Sequence, residues 1–294
     1  MALRCDRSIS IIFPAYNEEE NIGEAFEQAV SCADSLFGDW EIIIVNDGST
    51  DRTREIIEEL ARREPRLITI SHDGNGGYGR ALRSGMEAAS KKLIFFCDSD
   101  LQFHLCELIL LLTWVERCDI VIGYRVNRQD PLHRRLNAFG WNLLVRLVLG
   151  LKVRDIDCAF KLFSRRVLDA LQIDAVGAMV NTDILVQAVR LGFEIHEVPV
   201  THFPRMKGSQ SGANLRVILR AFRELLHLNR KLSTVPRTIF PYDRRRRAAP
   251  IGHVDHRQQD RRHVDLCINF QDRRSRVGLA EAAIRKPLPL EEAR

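Results

Sequence analysis

Two aspartates separated by one residue close an apolar run in the segment FFCDSDLQFH, residues 95–104. Because side chains alternate along a strand, Asp98 and Asp100 would face the same side if the extended geometry continued past the run. Carboxylate oxygens favour Mg²⁺ or Mn²⁺ over Zn²⁺, and such ions complete their coordination with water and substrate phosphates. The pair therefore indicates a cation site for a phosphate-bearing substrate, although a solvated turn often carries similar acids.

The elements around this pair predict an open α/β sheet. β-rich runs at 8–13, 40–49, 66–73 and 92–100 lack polar alternation, as expected for strands buried on both faces of a parallel sheet, and helical patterns separate them. The fold class is therefore α/β, a doubly wound and mostly parallel sheet. Ligands of such sheets lie beyond the carboxyl ends of the strands, where Glu18, Asp47 and the Asp98–Asp100 pair are found.

The elements that follow have a different character. Asn17 is the expected N-cap of the first helix, and 119–125 is predicted to be a further strand. Residues 132–151 form an amphipathic basic helix in which leucines recur at helical spacing around Trp141. This pattern suits a helix lying on a membrane surface and, equally, a core helix with an ordinary polar face.

Charge is distributed unevenly along the 294 residues. Residues 1–110 contain 11 Lys and Arg against 20 Asp and Glu, whereas 111–240 contain 20 against 11. The acidic front half disfavours nucleic acid and suits a divalent cation. The whole net charge of +5 comes from the arginine-rich tail at 241–294, which is expected to be disordered.

Cysteine usage and hydropathy bear on location. The seven cysteines form no C-x-x-C pair, and the first residues lack the apolar segment of a signal peptide. No run approaches the ~18–20 apolar residues that span a bilayer. We therefore expect a reduced, cytoplasmic protein that, if it acts at a membrane, lies on the cytosolic face.

Five segments occur in a characteristic order: PAYNEEENI, VNDGSTDRT, NGGYGRALRSG, DSDLQ and DIDCAFKLFSRR. Together they resemble the family 2 inverting glycosyltransferases of GT-A fold, within the dolichol- or polyprenyl-phosphate mannosyltransferase-like branch. The resemblance covers about residues 8–230. It implies a Rossmann-like, doubly wound sheet with a helical extension on the acceptor side.

The resemblance also implies roles for individual residues. The nucleotide-sugar would be bound by Pro14, Ala15, Tyr16, Glu18, Asp47 and Asp98. Asp100 with Gln102 would hold Mg²⁺ or Mn²⁺ against the donor diphosphate, whose departure such an ion assists as a Lewis acid. Arg125 and Arg205 would join Asp100 in catalysis by contacting phosphates, and Ser211 would lie near the acceptor phosphate.

The chain departs from the branch at three places. Phe103, His104, Leu105 and Cys106 replace a proline-containing turn before Glu107. Gly212 stands where a lysine is common, and Ala159 where a glycine is usual. The first two differences affect the expected donor site and phosphate contacts, and they would suit a different acceptor.

The resemblance implies a metal-dependent inverting hexosyltransferase that moves mannose or glucose from a GDP- or UDP-sugar to a polyprenyl or dolichyl phosphate. Residues 1–125 would bind the nucleotide-sugar, and 126–240 would form the acceptor side. A lipid phosphate is already an anionic nucleophile, so no strong general base is needed. A soluble or glycan acceptor and a catalytically silent nucleotide-sugar-binding protein are the alternatives. A membrane-anchored partner subunit is left open.

Overall fold

The computed structural model describes residues 5–126, 132–177, 179–205, 223–226 and 228–232, with the backbone alone for 132–139. Seven strands form its sheet. They are β1 (Ile9–Ala15), β2 (Trp40–Asn46), β3 (Leu67–Ser71), β4 (Leu93–Cys97), β5 (Ile120–Val126), β6 (Phe160–Ser164) and β7 (Ile195–Thr201). The predicted boundary at residue 125 falls inside β5, and the predicted tail at 241–294 lies outside the described residues.

The strand order is β3-β2-β1-β4-β6-β5-β7. β1 pairs in parallel with β2 and β4, β2 with β3, and β5 with β7, whereas β6 is antiparallel to both neighbours. The mostly parallel α/β sheet predicted from the apolar runs is therefore confirmed. β2 and β3 are added on one side of β1, and β4 is added on its other side. The order of strands therefore reverses between β1 and β4, and ligands of open α/β sheets bind at such a switch point.

Helices cover both faces of the sheet. They are α1 (Ile22–Leu36), α2 (Thr53–Arg63), α3 (Tyr78–Ala88), α4 (Leu108–Leu112), α5 (Leu132–Leu149), α6 (Arg165–Ala170) and α7 (Val180–Arg190), with a 3₁₀ turn at Leu105–Glu107. Alternate residues of β1 enter two separate cores. Ile11 and Phe13 pack on the side of α1, and Ile12 packs on the side of α3. Burial on both faces explains why the strand runs show no polar alternation.

The antiparallel β6 determines which loops meet at the site edge. Cys97, the last residue of β4, is paired with Phe160, the first residue of β6. The loop preceding β6 therefore arrives at the edge where β4 ends. Since β5 and β7 run parallel to β4, Arg125 and the residues after Thr201 reach that edge as well.

The first helix begins later than predicted. Asn17 has a φ of +55°, and α1 starts only at Ile22, so Asn17 is not its N-cap. The side-chain oxygen of Asn17 instead accepts a hydrogen bond from the backbone N–H of Thr50, at 2.8 Å. The left-handed backbone leaves the helical path, and this turn places Glu18 at the sheet edge rather than in the first turn of a helix.

Helix α5 covers residues 132–149 of the amphipathic helix predicted at 132–151, and it ends at Leu149, before Gly150 at φ +73°. Val145 is fully buried, whereas Leu143 and Leu147 are 44% and 74% exposed. Part of the predicted leucine face is thus turned outward. Among the described residues, no helix is long and apolar enough to cross a bilayer.

Candidate active site

Polar side chains from the segments after β1, β4 and β7 meet beyond the carboxyl ends of β1 and β4. Pro14 and Ala15 are the buried last residues of β1, and Tyr16 directly after them is 39% exposed. The hydroxyl of Ser99 donates to the carbonyl of Pro14, at 3.1 Å. The loop after β4 is therefore attached to the end of β1, as expected at a switch point.

Asp47 is buried at the end of β2, and its carboxylate is occupied by the neighbouring glycine-rich loop. It accepts hydrogen bonds from the backbone N–H groups of Gly76, at 3.1 Å, and Gly77, at 2.7 Å. His72 Nδ1 lies 2.7 Å from the same carboxylate, and Ser84 Oγ lies 3.0 Å from His72 Nε2. In this structure Asp47 shapes the loop that leads into α3, a contact that sequence reasoning missed.

The two aspartates after β4 lie in a desolvated environment. The strand ends at Cys97, and Leu101 has a φ of +61°, so the pair sits on a turn rather than on a continued strand. Burial, and then the charge of Asp100, raise the pKa of Asp98 to about 7. Burial also raises the pKa of Asp100, against the lowering effects of the Gln102 backbone N–H and of Arg205.

Arg205 connects this turn to Glu18, which is 187 positions away in the sequence. Its Nη2 donates to Oε1 of Glu18 at 2.6 Å, and its Nη1 lies 3.8 Å from Oδ2 of Asp100. The three side chains are only 10% to 12% exposed. The structure therefore brings together three residues that the sequence assigned to one site.

Gln102 fastens the segment that carries Arg205. Its Nε2 donates to the carbonyl of Phe203, and the N–H of Phe203 donates to the carbonyl of Gln102, both at 2.9 Å. The side-chain amide nitrogen of Gln102 is therefore used in a hydrogen bond to the protein, and its amide oxygen is the atom suited to a cation. Phe203 also makes an edge-to-face contact with His104, at 4.6 Å between ring centroids.

Phe103, in the segment after the aspartate turn, packs against the same part of the chain. Phe103 lies 5.3 Å from the His202 ring and 5.4 Å from the Phe160 ring, measured between centroids. Glu107 accepts a hydrogen bond from the backbone N–H of Thr201, at 2.7 Å. Burial raises the pKa of Glu107, opposed by that hydrogen bond. Phe103 and Glu107 thus hold the end of β7 and the residue after it.

Arg125 is held by a buried ion pair. Its Nε and Nη2 donate to the two carboxylate oxygens of Asp155 at 2.7 and 2.8 Å, and its backbone N–H donates to Asp155 as well. The pKa of Arg125 is raised because this pairing outweighs the effect of burial. The guanidinium lies at the sheet edge where the strands were predicted to bind substrate, and its Nε and Nη2 atoms point toward Asp155. Ser211, the predicted acceptor-phosphate residue, lies outside the described residues.

Lys161 is a buried residue whose role sequence reasoning missed. It lies on β6 with no exposed surface, and its ammonium donates to the carbonyls of Ile156 and Cys158 and to Oδ1 of Asn181. Burial lowers its pKa. The ammonium holds the loop that carries Asp155 against α7. A lysine inside the apolar run AFKLF was the available signal, since such a position rarely accepts an unpaired charge.

The donor set fits a hard divalent cation. Within the described part of the chain, no group of three or more His, Cys, Asp or Glu side chains is arranged to hold a metal ion. Asp100 and Gln102 would supply two oxygen ligands. Mg²⁺ commonly takes one or two carboxylates and fills its shell with water and substrate phosphates. Asp100, a largely desolvated carboxylate, is suited to such a partner.

Comparison with protein-family models matches residues 10–172 to "Glycosyl transferase family 2". The undecaprenyl-phosphate 4-deoxy-4-formamido-L-arabinose transferase of Pectobacterium carotovorum is 30% identical over 167 residues, which are 56% of this chain and 51% of that protein. The dodecaprenyl-phosphate galacturonate synthase of Rhizobium johnstonii is 30% identical over 225 residues, which are 75% of this chain and 65% of that protein. The chain thus spans about half to two thirds of the length of these relatives.

Among solved structures, glucosyl-3-phosphoglycerate synthase from Mycobacterium tuberculosis has a similar fold. The form in complex with Mn²⁺, UDP-glucose and phosphoglyceric acid superimposes with a TM-score of 0.60 at 22% identity, covering 78% of this chain and 81% of that chain. At this identity the likeness concerns the fold, and it confirms the expected GT-A architecture.

Proposed function

The chain belongs to glycosyltransferase family 2, and on that basis we propose that it is a metal-dependent inverting transferase acting on polyprenyl phosphate. It would take the sugar from a nucleoside-diphosphate donor. The observation that carries the proposal is the meeting of Glu18, Asp100 and Arg205 at the switch point of the sheet. Relatives whose names specify undecaprenyl or dodecaprenyl phosphate support the lipid acceptor.

The proposed chemistry assigns each part of this cluster a task. The leaving nucleoside diphosphate gains negative charge, and a cation held by Asp100 and Gln102 would supply Lewis-acid stabilisation there. The guanidinium of Arg205 would stabilise the same charge through bidentate hydrogen bonds. A lipid phosphate would attack the anomeric carbon directly, with inversion, so the site needs no strong base.

The sugar and the nucleotide are part of the proposal. The relatives' names specify 4-deoxy-4-formamido-L-arabinose and galacturonate, neither of which is the mannose or glucose predicted above. Hexose transfer from a GDP- or UDP-sugar therefore stays a prediction. UDP as the donor nucleotide is the first choice to test, because solved proteins of the same fold bind it.

The test is transfer of radiolabelled sugar to undecaprenyl phosphate in detergent, with Mg²⁺ or Mn²⁺. The donors are GDP-mannose, UDP-glucose, UDP-galacturonate and UDP-4-deoxy-4-formamido-L-arabinose. We expect transfer from one of them and a loss of about 10³-fold or more in Asp100→Ala, since a Lewis-acid cation contributes several kcal/mol. Glu58→Gln, an exposed change on α2, should keep full activity. A folded protein that transfers from none of the four would contradict the proposal.

Membrane contact is proposed for the outward side of α5. Leu143 and Leu147 are one turn apart and exposed, with Arg146 between them. Exposed leucines beside a basic residue suit an anionic lipid surface. We expect the protein to float with anionic liposomes and the double variant Leu143→Ser, Leu147→Ser to float less. Equal flotation of wild type and the double variant would contradict the proposed contact through α5. Sugar transfer without any lipid acceptor would favour a soluble acceptor.

A further inference from the structure

Arg205 forms an ion cluster with Glu18 and Asp100 at the proposed cation site. Arg205 is a permanent cation, and it lies 2.6 Å from one carboxylate and 3.8 Å from the other. The side chains are at most 12% exposed, so bulk water screens them weakly. The protein therefore already holds one positive charge beside the carboxylate proposed to bind a divalent cation.

The cluster is held in place from both ends. The second oxygen of Glu18 accepts a hydrogen bond from Nδ2 of Asn21 at 2.7 Å, so Glu18 is fixed independently of Arg205. On the other side, the two hydrogen bonds between Gln102 and Phe203 fasten the backbone two residues before Arg205. The guanidinium is thus positioned by two separate sets of contacts.

We propose that Arg205 is a resident countercharge that opposes divalent-cation binding at Asp100 until a nucleoside diphosphate binds and pairs with Arg205. This inference rests on the proposed function for the identity of the nucleotide. Its consequence is strong positive coupling: the cation and the diphosphate each bind weakly alone and tightly together. Glu18 is then a positioning residue, which keeps Arg205 beside Asp100.

The physical reason is the sign of the charges. A dication entering beside Asp100 is repelled by the guanidinium at short range, in a site where charge interactions exceed those in bulk water. A diphosphate carries negative charge that attracts both the guanidinium and the dication, so it removes the repulsion for each. By linkage, the factor by which the nucleotide tightens the cation equals the factor by which the cation tightens the nucleotide.

The experiment measures Mn²⁺ binding to the full chain by electron paramagnetic resonance, without nucleotide and with saturating UDP or GDP. It compares wild type with Arg205→Met and, as a second neutral variant, Arg205→Gln. We expect both neutral variants to bind Mn²⁺ alone at least about tenfold more tightly than wild type. The coupling factor, which is the Mn²⁺ affinity with nucleotide divided by the affinity without it, should fall by a similar amount. Arg205→Lys, which keeps the charge, should stay close to wild type. Circular dichroism checks that each variant is folded.

Arg63→Met is the matched control, since it removes one charge from the exposed pair between Arg63 on α2 and Glu27 on α1 and should leave Mn²⁺ binding unchanged. Unchanged or weaker binding of Mn²⁺ alone to the neutral variants would overturn the proposal, as would undiminished coupling. If no nucleotide binds to any of the proteins, the coupling and the proposed donor both fail. The Mn²⁺-only comparison still decides whether Arg205 opposes the cation, so the two failures are distinguishable.

Discussion

The ion pair between Arg125 and Asp155 joins the end of β5 to the loop before β6. Their side chains are 15% and 8% exposed, and two hydrogen bonds of 2.7 and 2.8 Å connect them. Replacing Asp155 by asparagine keeps the shape and one acceptor oxygen but removes the negative charge. The buried guanidinium of Arg125 then loses the counterion to which it is directly hydrogen-bonded.

The expected cost follows from that burial. Removing one partner of a buried pair lowers the free energy of unfolding by about 3–5 kcal/mol, because the remaining charge is uncompensated. The amide oxygen that the Asp155→Asn variant retains places its cost at the lower end of that range, about 3 kcal/mol. With a urea dependence of about 2–3 kcal/mol per molar, the unfolding midpoint should fall by about 1 M or more.

The assay is urea unfolding followed by circular dichroism, with an exposed pair as the control. Arg54 and Glu58 lie 2.9 Å apart on α2 with side chains 64% and 56% exposed. Glu58→Gln should therefore cost only about 0.3–0.5 kcal/mol. If Asp155→Asn costs less than about 1 kcal/mol, the pair behaves like a surface pair, and the inference that it fixes Arg125 is refuted.

Two further predictions concern stability. Burial raises the pKa of Glu107 in the folded state above its ordinary value of 4.5. The stabilising contribution of the protonated side chain is therefore fully present below the unfolded-state pKa, and it is lost as the pH rises through the folded-state pKa. Calorimetry should therefore show Glu107→Gln gaining stability relative to wild type between acid and neutral pH, and a difference independent of pH would contradict this. A Cβ at position 79 would lie 2.6 Å from the carbonyl oxygen of Ala175 and 2.8 Å from that of Gly177, so Gly79→Ala should cost about 1–3 kcal/mol in thermal unfolding. Gly140→Ala, with open space around the added carbon inside α5, should instead stabilise the protein by up to about 1 kcal/mol, and equal effects of the two changes would argue against the packing described at Gly79.

Local sequence patterns were most informative where the residues of one short segment alone decide its secondary structure. The unbroken apolar runs of β1 and β2 identified strands buried on both faces, and both are fully buried. The same local reasoning was wrong at Asn17. An asparagine before an acidic, periodic stretch is a good N-cap, but here its side chain bonds to the neighbouring loop and its backbone is left-handed. A competing partner distant in the sequence decided that position.

The site shows the same division between local and distant causes. The acids after β1, β2 and β4 were predicted to converge because parallel strands present their carboxyl ends at one edge. The partners of those acids were not predictable in this way. Asp47 is occupied by the glycine-rich loop, and Arg125 is held by Asp155. Hydrogen bonds of this kind depend on loop paths, which have no periodic pattern to reveal them.

By itself, the sequence determined the alternation of strands and helices, the acidic pair Asp98 and Asp100 after the fourth strand, and the order of motifs that identifies the family. Only the tertiary structure decided that Arg205 faces Asp100 and Glu18, and that Gln102 holds Phe203. The reason is physical. Strand periodicity is a local property, whereas contacts across more than 100 positions depend on the antiparallel pairing of β6 with β4 and β5 and on the alignment of β7 with β5.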